Sequence, residues 1–456
     1  MADFDSIIIG GGLSGLSAAV ELALNNRKVL LLEQHPSCGG RAISYRDSVM
    51  HCNVDNGQHL LMGCYHSTRR YLRLIGSENL VSLQPSLSIQ YIHKNQTRAV
   101  FQCPDIPPPL HLLFGILQFS PIPWRDRLKT LRIAFAILHA TEQKEQSLET
   151  KTVDEWLIAL GQSSLTRQYL WDIITIGALN NHPKNVSALM LFRILRAAFL
   201  GERENASLLI PKADLTELFI SPAIRFIKAR GGEVKKNCRV SKIFFKRDKA
   251  ISVQTNEKKK LSASSFICSV PWYEAGKLIP DVFQHRDGTL FRSSPIISFH
   301  IWFDRQVTDL EFAALIDTRI QWFFNKSMSE QINKSLSNKN TTQYLTLVMS
   351  DSEEFIEKDK QELLRIAIED LSNVLPDVKQ AKVVHSKIIK EKRATFSPVT
   401  GLEEVRPHCQ TLYQNLFLAG DWTSTGYPAT IESAIMSGQR AAKSVLEQQT
   451  WTTETF

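Results

Sequence analysis

Cysteine is scarce and carries no paired spacing. Cys38, Cys52, Cys64, Cys103, Cys238, Cys268 and Cys409 form an odd set of seven without a C-x-x-C. That argues against a disulfide framework and a zinc ribbon, and makes a reducing, cytoplasmic setting and the absence of a metal the expectation. Long apolar runs are also lacking: no stretch reaches the ~18 uninterrupted apolar residues of a spanning helix. The first residues, Met1-Ala2-Asp3-Phe4-Asp5, enter Ser6–Ile9 without a basic n-region or an apolar h-region, so no secretory leader is expected. Internal repeats, low-complexity segments and a basic tail are missing too. The formal charge of +8 and pI near 9.0 are spread along the chain, which disfavours nucleic acid as a partner and leaves an anionic membrane face open.

The 456 residues are 43% hydrophobic and 22% charged, the balance of a globular protein with two connected domains able to bury a large cofactor. Ser6–Ile9, Gly10–Gly15, an Ala/Leu-rich segment to about Asn25 and Lys28–Leu32 read as strand, glycine turn, helix and strand. From about Leu80 to Gly201 the pattern reads as helical and Leu-rich, broken by Pro107-Pro108-Pro109, Pro121 and Pro123. A helix through Phe226–Arg230 and strands at Cys238–Phe245, Ala250–Gln254 and Phe266–Val270 follow. Strands at Pro295–Phe303 and Gln343–Met349, a helix over Asp359–Leu375 and a closing strand, turn and helix from Leu416 complete the pass. The expected class is α/β, α+β overall: a Rossmann-type cofactor domain (1–79, 210–289 and 386–456) with an inserted mixed-sheet and helical substrate domain (80–209 and 290–385).

Gly10-x-Gly12-x-x-Gly15 follows a hydrophobic strand and opens a helix. The first glycine permits the tight turn, the second admits a pyrophosphate, and the third lets helix pack on strand, with Leu13, Ser14 and Gly15 offering helix N-terminal N–H groups to phosphate. Glu33 ends the next strand, where a carboxylate accepts from a ribose diol and repels a 2′-phosphate, so NADP is disfavoured. The alternatives are an empty strand-to-helix turn and a solvated strand end. Cys38-Gly39-Gly40-Arg41 then supplies Gly40 and a cation for a diphosphate, a segment an ordinary nicotinamide Rossmann unit does not need.

Asp55-Asn56-Gly57-Gln58-His59, Arg239-Val240, Ala419-Gly420-Asp421-Trp422-Thr423 and Gly426-Tyr427-Pro428-Ala429-Thr430-Ile431-Glu432 complete a pattern that resembles the flavin amine oxidase and carotenoid desaturase superfamily. The resemblance implies FAD, contacted at Gly57, Gln58, His59, Val240, Gly420 and Asp421, with Ala429, Thr430 and Ile431 at the flavin edge and Pro428 in the first turn of the last helix. Asp55–Tyr65, Ala178–Pro183 and Gly426–Ala434 are similar more closely to the squalene-associated FAD-dependent enzymes, the hydroxysqualene dehydroxylases of bacterial hopanoid synthesis. That likeness implies reductive removal of hydroxyl from a C30 allylic alcohol. It also implies contact with upstream enzymes of the squalene pathway, an electron donor of unknown identity, and a peripheral position on the inner face of a bacterial membrane.

Such chemistry needs an acid, and His59, Asp55 and His182 are the candidates. Structural alternatives stand beside them: His59 as a hydrogen-bonded loop histidine, the Asn180–Pro183 run as a turn cap, and Glu432 of the terminal helix as a helix-terminus charge. Leu110–Leu117 with Leu128, Leu131, Phe135 and Leu138, against Arg125, Arg127, Lys129 and Arg132, reads either as a basic amphipathic membrane face or as an ordinary amphipathic core helix. The competing functions are a phytoene-type desaturase, an amine oxidase with a cage drawn from Trp322, Phe323, Tyr344 and Trp422, and a non-catalytic flavin-bound isoprenoid carrier.

Overall fold

The computed structural model describes residues 3–283, 287–328 and 342–453. Strand β1 (Phe4–Ile9), helix α1 (Leu13–Leu24) and strand β2 (Val29–Leu32) form the expected βαβ unit. Together with Glu233–Lys235, Ala263–Cys268 and Leu416–Leu418 the two strands make a five-stranded sheet, parallel throughout, with β1 at its centre. Ile7, Ile8, Leu30, Leu31, Phe266 and Ile267 are fully buried, which is why these strands read as unbroken apolar runs: both faces of a parallel sheet are covered. The C-terminal helix Ile431–Thr453 lies against α1. Gly438 makes that approach possible, since a Cβ there would collide with the Ser14 carbonyl.

A second sheet of seven strands runs in the spatial order Val383–Phe396, Ser293–Phe303, Gln343–Met349, Trp322–Asn325, Phe312–Ile316, Ser88–His93, Arg98–Gln102. It is antiparallel except where Phe312–Ile316 runs parallel to Ser88–His93. Helix Lys360–Val374 covers part of it through Leu363, Ala367 and Leu371. A helical layer that includes Leu110–Gln118, Leu131–Leu138, Val153–Ala159 and Ala188–Phe199 packs with Tyr91, Phe101, Ala314 and Ile316.

Two expectations are corrected. The helical character expected from Leu80 begins only at Leu110: Val81–Leu83, Ser88–His93 and Arg98–Gln102 are strands. The alternation Ile89, Tyr91 against Gln90 has a period of two; the strand pairs with Arg98–Gln102 as a local hairpin and joins the sheet through Phe312–Ile316. The strand Val383–Phe396 also crosses the division expected at 385/386 and stays with the second sheet along its length. Its run of charged residues, Lys387, Lys390, Glu391, Lys392 and Arg393, is that of an edge strand.

Candidate flavin site

The glycine turn is shaped for a diphosphate. Gly12 is the N-cap of α1 and has no side chain to bond the helix N–H groups; the first turn holds no acid either. The partial positive charge of that terminus is thus left uncompensated for an anion. A Cβ on Gly12 would meet no atom within 4 Å, whereas one on Gly15 would collide with the Gly10 carbonyl. The first position needs open space and the second close packing. Ser269 Oγ pins the turn by donating to the carbonyls of Ile9 and Gly10, at 2.9 and 2.8 Å.

Glu33 is 6% exposed. Its Oε2 accepts from Gly11 N at 2.7 Å and Oε1 from His35 N at 2.8 Å, so the carboxylate faces the glycine turn with lone pairs to spare for a diol. Cys238 N donates to the Glu33 carbonyl, which brings Val240, the first residue of its strand, to the same end of the sheet. Gly40 has a left-handed φ of +61°, and Arg41 reaches across to Asp421 (2.6 Å) and the Ala394 carbonyl (2.9 Å). The cation expected to add to a diphosphate site is paired with the acid of the C-terminal motif.

Asp421 is held by an arrangement that no sequence motif announces. Arg406, 1% exposed, donates to the carbonyls of Asp421 (2.8 Å) and Tyr427 (2.8 Å), to that of Thr423, and to Thr425 Oγ1 (3.0 Å), with Glu403 beside it at 2.7 Å. One planar guanidinium thus ties the whole loop from 421 to 427. Gly420 carries φ +154°, and its N–H donates to Ser437 Oγ. The last helix starts at Ile431, so Pro428 lies ahead of it rather than in its first turn. Thr430 is the cap: its Oγ1 accepts from Ser433 N at 3.1 Å, a local hydrogen bond that outcompetes helix extension toward the proline. Glu432 turns away from this terminus and accepts from Ser67 N, Thr68 N and Thr68 Oγ1 at 2.9, 2.8 and 2.7 Å, capping a different helix, α2 (His66–Ile75).

The loop Asp55–His59 meets the second sheet. Asp55 accepts from Ser44 Oγ (2.8 Å), Leu215 N (3.1 Å) and Lys326 Nζ (3.4 Å). Lys326 Nζ also donates to Gln58 Oε1 at 2.9 Å. Behind them His300 Nε2 contacts the Asp55 carbonyl at 3.1 Å and Nδ1 contacts Tyr344 Oη at 2.6 Å; burial drives the His300 pKa down to about 4. Burial lowers His59 as well, ahead of the opposing pull of Asp55, which disfavours a cationic imidazole there. Ser298 is 1% exposed and among the described residues its Oγ has no partner; it lies 3.2 Å from the position of a Cβ on Gly57. An orphaned buried hydroxyl against a glycine that must stay bare fits a heteroatom-rich ring in the space Gly57 leaves, and with the open diphosphate turn the residues fit FAD.

Lys326, Ser298, His300 and Arg406 escaped the sequence reading because each is a common residue in strand or loop context, far in sequence from the motif it serves. His182 stands apart: it is exposed, its ring accepts from Lys184 N, and its charged neighbours are Asp172 and Asp351. Asn180 and Asn181 in the same turn bond to Ser294, Thr395 and Ser397, tying the helical layer to the second sheet. The proposed aromatic cage does not form. Phe323, Tyr344 and Trp422 are buried in three separate clusters, and Trp322 stacks on Phe324.

A family profile described as flavin containing amine oxidoreductase matches residues 13–446. A hydroxysqualene dehydroxylase of Zymomonas mobilis is 27% identical over 95% of this chain and 97% of that protein. A chloroplastic 15-cis-phytoene desaturase of Glycine max is 25% identical over 97% of this chain and 79% of its own. Among solved structures, an oxidoreductase from Methanosarcina mazei superposes with a TM-score of 0.71 at 16% identity, covering 97% of this chain and 99% of that one.

Proposed function

The chain belongs to the flavin-containing amine oxidoreductase family and is an FAD-dependent oxidoreductase, and from that premise we propose that it reductively dehydroxylates hydroxysqualene to squalene. The observation that carries the reading is the likeness to the Zymomonas mobilis hydroxysqualene dehydroxylase, which runs nearly end to end in both chains. In the reaction the allylic C–O bond breaks, the oxygen takes up a proton and leaves as water, and a hydride closes the C–H bond. Reduced FAD, when bound, supplies that hydride and ends oxidised.

The protein's part is to bind, shield and protonate. Lys326, fixed by Gln58 and Asp55, offers an N–H donor beside the Gly57–His59 loop, and Asp55 holds it by charge. Neutral His59 is suited to orienting the loop or accepting a hydrogen bond rather than to giving up a proton. Leu60, Leu208, Ile210, Ile296, Phe312 and Phe324 group around the same region, a surface of the kind that shelters an allylic cation from water. A substrate of this class resides in membrane, which favours a peripheral position on the cytoplasmic face; no helix among the described residues is long and apolar enough to cross a bilayer. Delivery by upstream enzymes and reduction by a partner donor belong to the same reading.

Polyene desaturation is the second reading, favoured by the 25% identity to the soybean phytoene desaturase. Anaerobic incubation of chemically reduced holoenzyme with hydroxysqualene separates the two. Squalene appearing in step with flavin reoxidation is expected. No squalene from reduced, substrate-bound enzyme sinks the first reading and moves desaturation ahead of it.

A further inference from the structure

Helices Leu110–Gln118, Trp124–Lys129 and Leu131–Leu138 follow one another along the surface; the first and third each have a buried and an exposed side, and the short middle one has no buried residue. His111, Leu112, Ile116, Ile133 and Ile137 are buried in the core they share with Tyr91 and Phe101. Leu110, Phe114, Trp124, Leu128, Leu131, Phe135 and Leu138 are exposed, Trp124 and Phe135 by 64% and 63%. These seven are packed into 29 consecutive residues, while the other exposed large apolar side chains are scattered over the rest of the described chain. A monomer in water has no use for such a concentration, which marks a contact surface.

The charges choose the occupant. The segment carries Arg125, Arg127, Lys129 and Arg132 against a single acid, Asp126. Two of the four cations are engaged locally: Arg127 donates to the carbonyls of Leu117, Ile122 and Ser120, closing the end of the first helix, and Lys129 pairs with Asp126 at 2.7 Å. Arg125 lies over the Trp124 ring at 5.4 Å, and Arg132 over Gly161; among the described residues neither has a carboxylate partner. A tryptophan paired with arginine at the rim of an apolar face suits the boundary between headgroups and acyl chains.

We propose that these three helices form a docking face that lies flat in one leaflet of an anionic phospholipid bilayer, held chiefly by insertion of Phe114, Leu128, Leu131, Phe135 and Leu138 and only secondarily by Arg125 and Arg132. The choice of lipid over a protein partner leans on the isoprenoid reading; the exposed face itself does not. The docking face seats on the strands Ser88–His93 and Arg98–Gln102, the same sheet that carries Ser298 and Asn325, next to Lys326, so membrane and site share one rigid layer.

Purified holoprotein is sedimented with substrate-free vesicles of phosphatidylcholine alone or mixed with phosphatidylglycerol, at low and high salt. Binding to both compositions is expected, stronger with phosphatidylglycerol and largely kept in high salt. The variant Leu131→Ser/Phe135→Ser/Leu138→Ser should bind at least about ten-fold more weakly with its bound FAD and melting temperature unchanged, whereas Ile251→Ser/Leu412→Ser, exposed apolars elsewhere, should bind as the parent does. Absence of binding to either vesicle, binding that the triple variant retains, or an apolar face that instead drives the protein to self-associate would each overturn the proposal. Because no substrate is present, a failed dehydroxylation assay leaves this result untouched.

Discussion

Lys326 and Arg406 illustrate two kinds of buried or half-buried cation. Lys326 is held by two side chains, Asp55 and Gln58, beside the Gly57–His59 loop. Lys326→Met is expected to lower product formation about 100-fold while FAD stays bound, and Lys326→Arg to restore part of it; anaerobic single turnover with the bound flavin monitored separates the two effects. Arg406 is held by backbone carbonyls and organises a loop. Arg406→Met should cost about 3–5 kcal/mol in denaturant unfolding, because it strands the carbonyls of Asp421, Thr423 and Tyr427, while Glu403 keeps Arg193, and the protein should lose FAD on gel filtration. His300 contributes a pH dependence to stability. Its pKa is 6.5 in an ordinary setting and about 4 when buried here, so the unfolded chain takes up the proton first. The contribution of neutral His300 is complete above pH 6.5 and is lost as pH falls toward 4, about 3 kcal/mol in all. His300→Gln should flatten unfolding free energy against pH across that window; an unchanged slope would assign the titration to another group.

Among the elements, helix ends decide more than helix interiors. Thr430 caps the C-terminal helix, Glu432 from that helix caps α2, and Gly12 leaves α1 uncapped for a ligand. Glu432→Ala should destabilise the protein by about 2 kcal/mol, seen as a lower urea midpoint, because the buried Thr68 N–H and hydroxyl and the half-buried Ser67 N–H lose their acceptor. The βαβ unit was legible because it is local: a buried parallel strand, three glycines at fixed offsets and a closing acid all lie within Phe4–Glu33. The strands of 88–102 were not: they form a short hairpin whose place in a sheet depends on Phe312–Ile316, supplied to Ser88–His93 from far along the chain.

At the scale of the whole molecule, the flavin site is assembled where two sheets meet. Arg41 to Asp421, Asp55 to Lys326 and Gly57 to Ser298 each join residues hundreds of positions apart. Sequence by itself determined the flavoprotein family, the α/β class and the opening βαβ unit, because these rest on short-range periodicity and on glycine offsets that backbone geometry dictates. Only the tertiary structure decided that Arg406 and Lys326 belong to the site, that His182 lies apart from it, and which side of residues 110–138 is left bare. Those outcomes depend on which surfaces become neighbours after the chain collapses. Composition and spacing carry no record of a contact made across 270 residues between Asp55 and Lys326, whose sequence separation the structure closes to 3.4 Å.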